Sequence, residues 1–287
     1  MTARAYRILN VFTVPELPFS GNALCVFEDG SGLRDATMQA LARQLNLSET
    51  TFLLPRTAEP ATARVRIFTP TFEMPFAGHP TLGTAHVVRG LHGCGDRVTL
   101  EMIAGLVDVT AVGDEWTLRA ARAPETRAPE ASRGELAATL GLEESALAAD
   151  PLWVDAGAEQ LVVPLRTVTD VASAKPDAGL LARHGFSNKR GASMIYAWAR
   201  ESPERIVARF FFLSNGSVIE DPATGSACAN LGGWMIATKQ SLPMKAEVRQ
   251  GDAVGRPSLL KLYVDETKQI FVSGGVTELG RGSLEVA

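Results

Sequence analysis

One spacing occurs twice in this 287-residue chain. The pattern Glu-x-Pro-x-x-Gly spans residues 73–78 and returns at residues 220–225, each time after an Arg-x-Phe pair. Upstream, Leu-Ala-Arg stands at residues 41–43 and again at residues 181–183. These matches are offset by roughly 140–147 residues, half of the chain, which indicates an internal repeat. The alternative is a coincidence of short matches in the same order.

If the repeat is real, the chain folds as two similar α+β units. Runs of β-branched and aromatic residues, such as residues 63–69, predict strands in each half. Residues 80–88 and 227–237 predict helices that are apolar on nearly all sides and therefore buried. Each unit would then hold a strongly curved sheet around one apolar helix.

The best boundary between these units is the stretch of residues 121–129, which is rich in Ala, Pro and Arg. It predicts a first domain over residues 1–120 and a second over residues 121–287, with the last strand a candidate to return to the first domain. A pseudo-twofold relation would bring the two Glu-x-Pro-x-x-Gly turns face to face. Clefts between domains are common ligand sites, so we expect a small-molecule site there.

Composition excludes several classes of function. The net charge is −4 and no Lys/Arg cluster stands out, which argues against nucleic-acid and anionic-membrane partners. The chain has three cysteines without a C-x-x-C spacing and four histidines without an HExxH pattern, so no metal is expected. A Gly-rich dinucleotide fingerprint is also missing, so we predict no cofactor. No secretory signal or apolar span is recognisable, and the expected localisation is cytoplasmic.

Several segments resemble, in order along nearly the whole chain, the signatures of the phenazine-biosynthesis isomerase family. They are residues 11–13, 19–23, 47–52, 76–81, 220–227 and 250–258. Each segment alone is a weak match, whereas the ordered set is specific. One departure is Ala23, at a position where proline is usual.

This resemblance implies the diaminopimelate-epimerase-like fold, with two pseudo-symmetric hot-dog-like barrels that each surround a central helix. It also implies a homodimer and chemistry without a cofactor. The reaction of the family is an isomerisation of trans-2,3-dihydro-3-hydroxyanthranilate that moves a proton between ring carbons. The physiological substrate of this chain stays open.

By the resemblance, Glu49 is the general acid/base that takes a proton from one carbon and returns it to another. A free glutamate has a pKa near 4.3, which is low for a base at neutral pH. Burial beside Leu47 and Phe52 would raise it. The alternative is a surface glutamate at the end of a helix.

Two further residues are candidates for the catalytic set. Asp221 matches a substrate-binding or second acid/base carboxylate of the family; its alternative role is to cap residues 224–225. His79 would stand as the N-cap of a helix that has Pro80 at its first position. Since histidine is a poor N-cap, its ring is predicted to contact the substrate or shuttle a proton. The alternative is a structural histidine.

The two turns also offer donors for an anion. Helix N-termini bind carboxylates through their backbone N–H groups, and Gly78 and Gly225 would permit close approach. Ser226 reads as the N-cap of the helix over residues 227–237. We therefore predict that Gly78, Thr224, Gly225 and Ser226 bind a substrate carboxylate.

Two rival hypotheses remain. An amino-acid epimerase or racemase of the same fold would carry a cysteine before each turn glycine, but Ala77 and Thr224 occupy those positions, and Cys228 is expected to be a packing residue. A non-catalytic carboxylate-binding protein would keep the helix-start donors without needing Glu49 as a base. The favoured hypothesis is an isomerase.

Overall fold

The computed structural model describes residues 2–286, which divide into two compact units. Residues 2–119 and 273–286 form the first unit, and residues 120–272 form the second. The last strand therefore begins in the second unit and continues into the first.

The chain alternates short helices with many strands. The helices are α1 (Asp35–Leu45), α2 (Gly78–His92), α3 (Arg133–Thr139), α4 (Val168–Ser173), α5 (Ala178–His184) and α6 (Gly225–Ala237), with 3₁₀ turns at Glu144–Ala146 and Asp252–Val254. The strands are β1 (Thr2–Thr13), β2 (Asn22–Phe27), β3 (Glu49–Leu54), β4 (Ala63–Phe68), β5 (Glu73–Met74), β6 (Arg97–Met102), β7 (Gly105–Val112), β8 (Glu115–Arg119), β9 (Glu125–Arg127), β10 (Leu152–Asp155), β11 (Gln160–Pro164), β12 (Phe186–Ser187), β13 (Ala192–Ser202), β14 (Arg205–Ser214), β15 (Ser217–Asp221), β16 (Met244–Gln250), β17 (Ser258–Val264) and β18 (Ile270–Val286).

In the first unit, β1 pairs antiparallel with β2 and with β18, whose register runs from Thr2 opposite Val286 to Thr13 opposite Gly275. Strand β3 lies parallel to β2, and β4 pairs antiparallel with β3 and β5 and parallel with β6. Strands β6, β7 and β8 follow as an antiparallel meander. Helix α2 packs against β1, β2, β3, β4, β6, β7 and β8, so most of its residues are buried.

The second unit repeats this pairing order. Strand β10 pairs antiparallel with β11, β11 lies parallel to β13, and β14 pairs antiparallel with β13 and β15 and parallel with β16. The helix after β15 is α6, which packs against β9, β10, β11 and β17. The repeated sequence motif therefore corresponds to a repeated order of strands and helices.

The repeated Arg and Glu residues have a structural role. Arg66 on β4 donates to Glu73 on β5, with 2.6 Å between Nη2 and Oε2. Arg209 on β14 makes the same contact with Glu220 on β15 at 2.7 Å. In each unit, the ion pair ties the strand before the turn to its neighbour and so holds the start of the following helix.

The predicted elements agree with the structure to within a few residues, with two corrections. Helix α2 begins at Gly78 and ends at His92, so it is longer at both ends than the predicted residues 80–88. The segment predicted as a linker contains β9, which pairs with β10. Among residues 2–286, no helix has both the length and the apolar composition that a bilayer crossing requires.

Candidate active site

A tight loop before β2 positions residues next to the candidate site of the first unit. Gly21 has φ +80°, and a Cβ there would lie 2.5 Å from the carbonyl oxygen of Val11, so only glycine fits. The next residue, Asn22, is buried, and its Oδ1 accepts a hydrogen bond of 2.8 Å from the hydroxyl of Ser48. This bond anchors the residue directly before Glu49.

Glu49 is the first residue of β3 and lies opposite Leu24 of the parallel strand β2. Its Oε2 is 3.1 Å from Nε2 of His79 on α2. The side chains are 15% exposed for Glu49 and 6% for His79. The structure thus brings together, inside one unit, the two titratable residues that the sequence predicted there.

His79 does not cap α2, contrary to the sequence-based expectation. The N-cap is Ala77, so Gly78 and His79 are the first two helical residues and Pro80 is the third. Proline is tolerated in this first turn because its missing N–H has no partner within the helix. The sequence predicts a helix start at Pro80, and this places the expected N-cap at His79, two residues after the actual N-cap.

The tautomer of His79 follows from its partners. The ring makes a hydrogen bond to the backbone of Ala23, where only the carbonyl oxygen can accept from a ring N–H. Since Nε2 faces Glu49, the donor is Nδ1. Burial lowers the pKa of His79 to about 3, although the Ala23 bond opposes this shift. At neutral pH the ring is therefore uncharged and presents the Nε2 lone pair to Glu49. Proline at position 23 would offer the same carbonyl, so this departure from the family pattern leaves the contact intact.

In the second unit, Asp221 ends β15 and faces the turn that starts α6. Its Oδ2 accepts a short hydrogen bond from the hydroxyl of Thr224, the N-cap residue. Gln250 donates from Nε2 to the Asp221 carbonyl at 2.8 Å and to the Thr224 hydroxyl oxygen at 3.0 Å. The hydroxyl of Thr224 is thereby directed at the Asp221 carboxylate, which acts as the acceptor.

Ser226 also differs from the expectation. It is the second residue of α6 and caps nothing, because the N-cap is Thr224 and makes no side-chain cap bond. Its hydroxyl oxygen accepts a hydrogen bond of 2.9 Å from Nε2 of Gln160. Gly225, the first helical residue, is buried and comes between these two positions.

Sequence reasoning assigned no role to Gln160 or Gln250. Both are 1% exposed. Gln250 lies inside a recognised family motif, and Gln160 opens the short apolar strand β11. The available signal was an uncharged polar side chain at one end of a strand, where it must find a hydrogen-bond partner if it is buried.

The cysteines do not form an acid/base pair. Cys25 and Cys228 are buried, and burial raises the pKa of the Cys25 thiol to about 12 and moves that of Cys228 in the same direction. Neither thiol is therefore ready to act as a base. In the described part of the chain, no group of three or more His, Cys, Asp or Glu side chains is arranged to hold a metal ion.

The sequence matches the family described as phenazine biosynthesis-like protein (PhzC-PhzF) over residues 9–279. It is 38% identical to an uncharacterized isomerase of Pasteurella multocida, covering 100% of this chain and 96% of that protein. It is 32% identical to the trans-2,3-dihydro-3-hydroxyanthranilate isomerase of Pseudomonas chlororaphis, covering 97% and 98% respectively. A PhzF-family phenazine biosynthesis protein of Bacillus anthracis superposes with a TM-score of 0.86 at 24% identity over 100% of both chains.

These similarities define a mixed α/β fold with a barrel-like sheet and an isomerase as the class of protein. The chain belongs to the phenazine biosynthesis-like family. The sequence-based predictions of the family and of an isomerase are thereby confirmed.

Proposed function

We propose that this protein moves a proton between two carbons of a small carboxylated substrate without a cofactor, and that Glu49 carries the proton. The observation that carries this proposal is the 3.1 Å contact between the Glu49 carboxyl and a neutral, buried His79. An uncharged ring does not pair the carboxylate with a cation. The carboxylate can therefore act as a base towards carbon.

The transfer is balanced within the substrate. Glu49 takes a proton as one C–H bond breaks, the electron pair moves through the adjacent double bond, and the proton returns to form a new C–H bond. Between these steps the carboxyl is protonated. The uncharged His79 ring supplies no positive charge to hold the carboxyl ionised, and its Nε2 lone pair, 3.1 Å from Oε2, opposes negative charge there, so it favours this protonated state. Because a carboxyl both receives and delivers the proton, no oxidant or reductant is needed.

In the second unit, we assign substrate binding to the start of α6. The first N–H groups of a helix have no intrahelical partner and favour an anion, and the Ser226 hydroxyl adds a donor. Asp221, held as an acceptor by Thr224, suits an amino or hydroxyl group of the substrate. Gly225 has no side chain that would crowd this helix start, and neither has Gly78 at the start of α2.

These groups favour a substrate with a carboxylate and at least one donor on the same small ring. The substrate in the name of the Pseudomonas chlororaphis relative, a dihydro-hydroxyanthranilate, has both. We therefore take a cyclic amino or hydroxy carboxylate of this type as the substrate class. The family resemblance extends the proposal to two hot-dog-like barrels around α2 and α6 and to a homodimer, which sedimentation analysis would test.

The experiment is turnover of trans-2,3-dihydro-3-hydroxyanthranilate in D₂O, followed by NMR for deuterium at ring carbon. The wild-type protein should isomerise it and incorporate deuterium to the extent that the protonated Glu49 exchanges with D₂O before it returns the proton, and Glu49→Gln should abolish both turnover and incorporation. Glu266→Gln makes the same chemical change at an exposed turn and should match the wild type. If Glu49→Gln retains wild-type turnover, the assignment of the proton carrier is wrong. Binding without any turnover would instead favour a non-catalytic carboxylate-binding protein.

A further inference from the structure

A chain of buried amides in the second unit leads to Ser226. Asn230, one turn further along α6, accepts at Oδ1 from the N–H of Ala156 at 2.8 Å. Its Nδ2 donates to the carbonyl of Ala158 and to Oε1 of Gln160, both at 2.7 Å. Gln160 then donates from Nε2 to the hydroxyl oxygen of Ser226 at 2.9 Å. Asn230 is 0% exposed and Gln160 is 1% exposed.

Backbone groups determine the donor and the acceptor of every hydrogen bond in this series. A main-chain N–H can only donate and a carbonyl can only accept, so Ala156 and Ala158 admit one orientation of the Asn230 amide. The NH₂ group of Asn230 therefore faces Gln160 and requires an acceptor, which is Oε1. The amide of Gln160 is thus oriented as well, and its NH₂ group faces Ser226.

We infer that Gln160 is a positioning residue that makes Ser226 a hydrogen-bond donor towards the ligand. The Ser226 oxygen already accepts from Gln160, so its hydrogen cannot point there and is directed to another acceptor. A ligand group at Ser226 is therefore selected as an acceptor, such as a carboxylate oxygen. This inference rests on the proposed function only in taking a carboxylate as that acceptor.

Gln160 as a positioning residue and Gln160 as a residue that only fills space lead to different ligand preferences. A serine held by an acceptor would donate to the protein and offer lone pairs to a ligand, which would favour a donor such as an amide NH₂. Reversing the hydrogen bond at Ser226 should therefore change which ligand is preferred. Loss of packing alone would weaken all ligands of similar shape alike.

The test uses two probes of equal size, anthranilate and its neutral carboxamide, with affinities measured by calorimetry. Wild-type protein should prefer anthranilate. Gln160→Glu replaces the donor by an acceptor of nearly the same shape, so Ser226 turns towards it; the ratio of the two affinities should fall tenfold or more. Gln240→Glu adds the same charge beyond the C-terminal end of α6, and its ratio should stay within twofold of the wild type.

Charge repulsion is separated from hydrogen-bond direction by two further variants. Gln160→Met adds no charge, yet it should lower the ratio at least threefold because Ser226 is released. In the Ser226→Ala background, Gln160→Glu should change the ratio by less than twofold. If the full change persists there, or if Gln160→Met keeps the wild-type ratio, the inference is wrong. Wild-type protein that binds neither probe would also overturn it, whereas proton transfer by Glu49 is judged separately by the deuterium experiment.

Discussion

The second residue of α2 is His79, whereas the second residue of α6 is Ser226. Both follow a Glu-x-Pro-x-x-Gly turn and both are oriented by the beginning of a neighbouring strand. His79 donates to the backbone of Ala23 on β2, and Ser226 accepts from the side chain of Gln160 on β11. The repeat has kept the turn and the anchoring position, while the functional group at that position differs. One helix start presents the lone pair of an uncharged ring nitrogen, and the other presents a hydroxyl donor.

The two ion pairs that precede the turns should contribute unequally to the free energy of unfolding, although they occupy equivalent positions in the repeat. Arg209 contacts Glu220, which is 7% exposed, and donates to the carbonyls of Val171, Ala172 and Ala174. Arg66 contacts Glu73, which is 24% exposed. Arg209→Met should cost about 3–5 kcal/mol of unfolding free energy because it leaves a buried carboxylate unpaired. Arg66→Met should cost about 1–2 kcal/mol. Urea denaturation of both variants measures this, and equal losses would contradict the asymmetry.

Each unit also depends on one glycine that has a left-handed backbone and no room for a Cβ. Gly21 has φ +80°, and Gly251 has φ +84°, where a Cβ would lie 2.5 Å from the carbonyl oxygen of Pro222. Replacing either glycine by alanine should lower the free energy of unfolding by about 2–4 kcal/mol. The strain of a left-handed backbone and the steric overlap of the new Cβ both contribute to this loss. Gly216→Ala is the matched control, because Gly216 has φ +77° and no neighbour within 4 Å. It should lose about 1 kcal/mol by thermal unfolding. A loss as large as the other two would refute the steric argument.

Glu49 of the first unit and Ser226 of the second should have different effects on the kinetics. Glu49→Gln should lower kcat by about 10²-fold or more, since it removes the group that carries the proton. Ser226→Ala should act mainly on KM, by about tenfold, because it removes one donor to a bound anion. Steady-state kinetics on the dihydro-hydroxyanthranilate measures both. A fall in kcat alone for Ser226→Ala would mean that this hydroxyl participates in the proton transfer.

The last difference concerns pH, because His79 of the first unit should make the free energy of unfolding depend on pH. Burial lowers the pKa of His79 to about 3 from the ordinary 6.5, so between these values the unfolded chain binds a proton that the folded chain does not. This contribution to stability is complete above pH 6.5 and is lost as the pH falls, by about 1.4 kcal/mol per pH unit. His79→Gln should lower the slope by up to this amount, whereas Ser226→Ala should leave the slope unchanged. Urea denaturation at a series of pH values would reveal parallel curves for wild type and His79→Gln if this explanation is wrong.

The sequence predicted the elements that a local pattern can indicate. Alternation identified β4, and the apolar composition around residues 80–88 identified α2, because both patterns depend on which side chains are buried. The start of α2 was misplaced because Pro80 suits any position of a first turn, and the prediction assumed the first one. The same kind of error made Ser226 a cap.

Glu49 and His79 of the first unit could be predicted from the sequence, because the family motifs contain both residues. The tautomer of His79 could not, because it depends on the carbonyl of Ala23, a backbone atom that every residue at that position offers. The role of Gln160 could not be predicted from the sequence for a related reason. Its role follows from the orientation of Asn230, 70 positions later in the chain, and a single sequence does not show such a contact.

The path of β18 has a consequence for synthesis. Strand β1 pairs with β2 on one side and with β18 on the other, and the β18 register opposite β1 comprises residues 275–286. The first unit is therefore started by β1 and completed by β18, and the ribosome synthesises the whole second unit between these two strands. Until then β1 has an open edge that another chain could pair with. The second unit is continuous in sequence, so it can finish folding while the first still waits for its closing strand.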